Sequence, residues 1–103
     1  MKLVSVQMSL TRSIANPPLT SAKGIEFTLL DRSKFVRCII TRAALEKLAN
    51  KELAPGQFEL TFHKHQDRIE ATASRKYEQA AVYRAPLTIS PADLVAYRPP
   101  IQV

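Results

Sequence analysis

The sequence predicts an α+β fold, with a small antiparallel sheet packed by one long and one short helix. Three observations carry this. Residues 25–30 and 35–40 are two apolar, β-branched runs separated by polar turn residues. Residues 57–79 repeat their apolar side chains at the period of a helix. The 103 residues, 46% of them hydrophobic, suit one core. The chain therefore reads as a single domain over 1–103. An N-terminal strand and loop occupy 1–24, a core 25–97 and an extended tail 98–103.

Val4, Val6, Met8 and Leu10 alternate with Ser5, Gln7 and Ser9, which predicts a half-buried strand over 3–10. Thr11 to Gly24 contains Asn16-Pro17-Pro18 and reads as a long surface loop. Ile25–Leu30 and Phe35–Ile40 form a hairpin around Asp31-Arg32-Ser33-Lys34. With no glycine there, a four-residue type I connection is expected. Val36, Cys38 and Ile40 share one face of the second strand, and Phe35, Arg37 and Ile39 share the other. Both faces are partly apolar, and a second copy covering one of them is expected, so the chain reads as a homodimer.

Thr41 is placed to cap a short helix over 42–49, and Asn50 to end it. Pro55 and Gly56 then mark the start of the long helix. On its wheel Phe58, Phe62, His65, Ile69, Ala73 and Tyr77 form the core stripe. Lys64, Arg68 and Arg75 form a basic stripe flanked by Thr61, Thr72 and Gln79, while Asp67, Glu70 and Glu78 take the remaining arc. Leu60 points away from the core stripe. Residues 86–90 read as a strand that Pro86 confines to an edge or a start position. Ser90-Pro91-Ala92-Asp93 opens a last short helix through Tyr97, and Arg98-Pro99-Pro100 stops it.

Across Val36–Leu45, His65–Ala73 and Lys76-Tyr77, the chain resembles a small bacterial family catalogued as domain of unknown function fourteen-eighty-eight. The resemblance covers about residues 25–94. It implies a small α+β fold and brings no established activity, cofactor or catalytic residue.

Several chemistries can be weighed on residue types. Phosphate-loop and dinucleotide fingerprints need glycines, and the chain has only Gly24 and Gly56. No cofactor is implied. His63, His65 and Asp67 suggest a metal, but the two histidines lie two residues apart and point different ways on a helix, so no metal site is assigned. His63 is expected to pair with Asp67 at the surface. Cys38 with His63 or His65 could serve as nucleophile and base. However, a cysteine on an apolar strand face is ordinarily a small buried hydrophobe, and no catalytic residue is assigned. A helix-turn-helix reading fails because the connection between the helices is too long.

The net charge is +6 at pH 7, which favours acidic partners. The basic stripe Lys64, Arg68, Arg75 is the candidate surface for a weak contact with nucleic acid or an acidic protein, weighed against an ordinary solvated face. One cysteine permits no internal disulfide, and no run is long and apolar enough to span a membrane. The start of the chain lacks the apolar run of a secretory signal, and the cytoplasm is the expected location. The expected role is a small non-catalytic binding or regulatory module. The alternative is a small enzyme or ligand-binding protein with a site near Cys38 and the two histidines.

Overall fold

The structure is a computed structural model that describes residues 10–80 and 82–96. The strand expected over 3–10 lies outside the described residues except for Leu10, which is buried. The tail over 98–103 also lies outside them.

A hairpin is the centre of the fold. Strands β3 (Gly24–Asp31) and β4 (Lys34–Thr41) pair antiparallel along their whole length, from Gly24 opposite Thr41 to Asp31 opposite Lys34. The side-chain period of two then sorts the residues by face. Ile25, Phe27 and Leu29 lie beside Ile40, Cys38 and Val36, and all six are buried. Glu26, Thr28 and Leu30 lie beside Ile39, Arg37 and Phe35 on the opposite face. Ile25 and Phe27 thus belong to the core face. The connection is tighter than the expected four-residue loop, with only Arg32 and Ser33 between the last pair. Arg32 takes φ 61°, a positive value at the first central position that suits the primed turns favoured by strand twist.

Two short strands, β1 (Thr11–Arg12) and β2 (Leu19–Thr20), pair antiparallel with different parts of β3. The segment expected to be a free loop is therefore held to the sheet. Two-residue strands are too short to show a period, so alternation could not reveal them. Between them Asn16 donates to the Ser13 hydroxyl at 3.0 Å and the Ser13 amide donates to the Thr28 carbonyl at 3.4 Å.

The chain leaves β4 directly into α1 (Arg42–Ala49). The Thr41 hydroxyl accepts from the Ala44 amide at 3.1 Å, the expected N-cap. Asn50 ends the helix at φ 61°, while Lys51 donates to the Glu46 carbonyl. Helix α2 (Gln57–Lys64) starts after Gly56, and α3 (Gln66–Gln79) follows at once. The long helix is therefore two helices, interrupted at His65, whose φ −111° and ψ 19° are not helical. The hydrogen bonds nearly bridge the break, since His65 donates to the Thr61 carbonyl and its own carbonyl accepts from Ile69. No proline or glycine marks this break.

Strand β5 (Leu87–Ile89) returns alongside β4 and runs parallel to it. The sheet is therefore mixed, because the run of three helices supplies the crossover that a parallel pair requires. The order β1-β3-β4-β5 puts β5 at an edge, where Pro86 was expected to confine it. Beyond the end of β5, the Tyr83 hydroxyl accepts from the Arg37 amide at 2.7 Å and sits 3.2 Å from the Arg37 carbonyl, closing the exposed edge of β4. Helix α4 is described over Pro91–Ala96, and Tyr97, to which it was expected to run, lies outside the described residues. Asp93 accepts from the Ser90 amide at 2.8 Å, the reciprocal arm of a capping box.

The α+β class holds, with five strands and four helices among the described residues. Phe58, Phe62, Ile69 and Ala73 are buried as their stripe predicts, and they join the six inner-face hairpin residues in one core. Phe62 meets Phe27 with ring centroids 5.3 Å apart.

Candidate functional site

Two surfaces can be built from the residues upward. The first is the basic side of α2 and α3. Lys64 ends α2 and Arg68 lies in the first turn of α3, and both are exposed. They lie on opposite sides of the His65 break, so no unbroken helix lines them up. Arg75 is half-buried and turns toward α4, its Nη2 3.5 Å from the Asp93 carbonyl. Thr61 and Thr72 are buried, and the Thr72 hydroxyl donates to the Arg68 carbonyl at 2.9 Å.

Beside Lys64 lies a cleft of about 350 Å³ whose walls include Leu53, Leu60, Lys51, Lys64 and His65. Leu60, the residue that broke the core stripe, is 69% exposed here. His65 is half-buried. Burial, with help from Lys64 and Arg68, pushes its pKa below the ordinary histidine value, so it adds no charge at pH 7. The cationic character of the cleft therefore rests on Lys51 and Lys64.

The acids assigned to the opposite arc are divided. Glu70 is only 5% exposed. Its carboxylate accepts from Arg12 Nε at 2.8 Å, from Arg12 Nη2 at 2.9 Å and from Gln66 at 3.2 Å. This bidentate pair straps β1 to α3 and raises the Arg12 pKa, chiefly through the hydrogen bond. Asp67 also pairs with Arg12, at 3.2 Å, in place of the expected His63. The Arg12–Glu70 pair was missed in the sequence because its partners are 58 residues apart. The only available hint was that Glu70 directly follows Ile69 of the core stripe.

The second surface is the open face of the sheet. Phe35 is 59% exposed and Leu19 64% exposed, while Ile39 on the same face is nearly covered. A depression of about 790 Å³ lies over this face, walled by Ala15–Pro17 on one side and Ala85-Pro86 on the other. Glu26, Arg37 and Lys23 line it, and none of the three forms an ion pair among the described residues.

Cys38 is buried, with its thiol 3.6 Å from the Val36 carbonyl. Burial pushes its pKa up to about 12, with Glu70 adding to the effect. It lines a different depression from His65, and His63 is exposed with its ring 5.5 Å from that of Phe62. Among the described residues no three histidine, cysteine or acidic side chains converge as metal ligands.

The family model "Protein of unknown function (DUF1488)" matches residues 20–85, well over half of the chain. The chain belongs to that family. It is also similar to the crystal structure of a protein of unknown function from the DUF1488 family of Shewanella loihica PV-4. That likeness has a TM-score of 0.66 and 21% identity, and it covers 82% of this chain and 96% of the other. At that identity it speaks for the fold alone. No curated protein matches the chain. Among the described residues no helix is long and apolar enough to cross a membrane.

Proposed function

We propose that this DUF1488 protein is a small non-catalytic binding module that meets an acidic macromolecule through the basic side of α2 and α3. One observation carries the reading. Lys64 and Arg68 are exposed, Lys64 in the wall of a cleft that also includes Leu53 and Leu60, and neither has a carboxylate partner among the described residues. Cations that are already paired give little to an incoming partner. These two, with Lys51 across the cleft, keep their charge available to one. Arg75, part of the original stripe, serves the packing of α4 in this reading.

A contact made through lysine and arginine to phosphates makes nucleic-acid binding indifferent to sequence and steeply salt-dependent. The test is a titration with duplex and single-stranded DNA at low and physiological salt, for wild type and for Lys64→Ala/Arg68→Ala. Weakened binding by the double variant at low salt is the expected result. No binding by wild type at low salt removes nucleic acid and leaves an acidic protein as the partner to seek. Equal binding by both proteins removes this surface.

The same reading takes the module as a homodimer in the cytoplasm, where a single buried cysteine stays reduced. It also sets aside catalysis. Cys38 is protonated and enclosed, and the two histidines do not share its site.

A further inference from the structure

The open sheet face carries a pattern that is complementary to itself. Four of its residues fall in the order Leu19, Glu26, Arg37, Phe35, which reads apolar, acid, base, apolar. Their positions follow from the register. Leu19 pairs with Glu26 across β2 and β3, Glu26 pairs with Ile39 across β3 and β4, and Thr28 pairs with Arg37. Phe35 lies two residues from Arg37 along β4 and so on the same face. Glu26 and Arg37 thus occupy opposite corners of a four-residue cell whose other corners are Thr28 and Ile39.

We propose that this face is covered by a second copy of the same chain about a two-fold axis that runs along the Thr28–Ile39 diagonal. This supplies an interface for the homodimer proposed above and rests on that reading. Neighbouring strands are about 4.8 Å apart, and same-face residues along a strand are about 6.8 Å apart. On that lattice the axis carries Glu26 to within about 3 Å of the position of Arg37, so each copy's carboxylate can meet the other's guanidinium. The same rotation carries Phe35 to about 6 Å from the position of Leu19, within reach of both side chains. The two most exposed apolar residues of the face then cover each other. An isologous interface needs this property, since every contact must be made twice by one patch.

The charges strengthen the argument. Glu26 and Arg37 form no ion pair among the described residues, on a face where Phe35 and Leu19 remain 59% and 64% exposed. A partner of uniform acidic character would leave Glu26 facing a like charge. A second copy satisfies both signs. The edges offer a poorer route to self-association, because Tyr83 already holds the backbone groups of Arg37.

The test is sedimentation equilibrium from low to high micromolar concentration for wild type, Glu26→Arg, Arg37→Glu, the double swap and Phe35→Ser. Wild type should associate reversibly to a dimer. Each charge reversal puts like charges together twice and should weaken the dimer at least about tenfold, while the double swap restores it. Phe35→Ser should weaken it as well. If Glu26→Arg fails to fold by circular dichroism, Arg37→Glu and Phe35→Ser carry the test, as both sites are exposed. A wild type that stays monomeric at high micromolar concentration overturns both this interface and the homodimer, and leaves the face to a different protein. A dimer that ignores the single reversals overturns the interface while the homodimer stands. A double swap as weak as the singles overturns the Glu26–Arg37 pairing. None of these results bears on the DNA titration, so the two readings fail separately.

Discussion

The two faces of the β3–β4 hairpin both carry large apolar residues, yet they have different fates. The inner face offers Ile25, Phe27, Leu29, Val36, Cys38 and Ile40, none of them more than 4% exposed. The outer face offers Leu30, Phe35 and Ile39 among Glu26, Thr28 and Arg37, and Phe35 stands mostly in water. Apolar content alone did not decide which face would be covered. The helices did, because their own stripe of Phe58, Phe62, Ile69 and Ala73 has one side to bury and takes the face without charges. The difference separates a face buried for stability from one left exposed.

Substitutions on the two faces should differ in scale. The largest loss is expected at Ile69, which is fully buried between α3 and the inner face. Ile69→Ala should cost about 2–5 kcal/mol in urea unfolding, and a loss under about 0.5 kcal/mol would mean that the helix faces another way. Next comes the strap between β1 and α3. Arg12→Met leaves the Glu70 carboxylate buried without its bidentate partner and should cost about 1–3 kcal/mol. The exposed half of Arg12 limits the figure, and an unchanged unfolding midpoint would show that the strap is ornamental.

A smaller loss, about 0.5–2 kcal/mol, is expected for Asp93→Asn at neutral pH. Burial tends to raise the Asp93 pKa, but hydrogen bonds from Lys76 and Ser90 outweigh it and leave the pKa below the ordinary value of 3.8. The folded pKa is depressed, so its stabilisation is present above that value and is lost as pH falls through the folded pKa. The variant should therefore have a flatter acid limb below about pH 4, and parallel limbs would refute the assignment. Phe35→Ser, on the outer face, should change the stability of the monomer by no more than about 0.5 kcal/mol, measured at high dilution. A loss as large as that at Ile69 would erase the distinction between the faces. The smallest effect belongs to Cys38, which should resist a thiol reagent in the native state at neutral pH. Its raised pKa contributes stability below the ordinary value of 9.0 that is lost as pH rises toward about 12. Rapid native labelling would contradict its burial.

Much of the fold was legible in the chain. The hairpin showed in its period of two, α1 in its Thr41 and Asn50 caps, and the edge position of β5 in Pro86. The break at His65 was hidden, because neither proline nor glycine signals it and the apolar stripe continues through it. β1 and β2 were hidden by their length. The candidate basic surface was legible only as a charge count along an ideal helix. Which of those charges turn inward depends on α4 and on the break, and Arg75 shows the consequence. Glu70 was misplaced for the same reason, since its buried position depends on a guanidinium that arrives from the far end of the chain.

Tyr83 carries a consequence of a different kind. Its single hydroxyl occupies the amide and the carbonyl of Arg37 together, at 2.7 and 3.2 Å, as a neighbouring strand would. An exposed strand edge is a template for pairing with another chain, and such pairing has no natural stopping point. By closing that stretch of β4 with a side chain, the protein discourages ribbon growth along the sheet while leaving the sheet's face open. Assembly across a face about a two-fold axis stops at two copies, whereas addition along an edge can continue into a fibre. Replacing this hydroxyl, as in Tyr83→Phe, would therefore threaten solubility on storage more than folding.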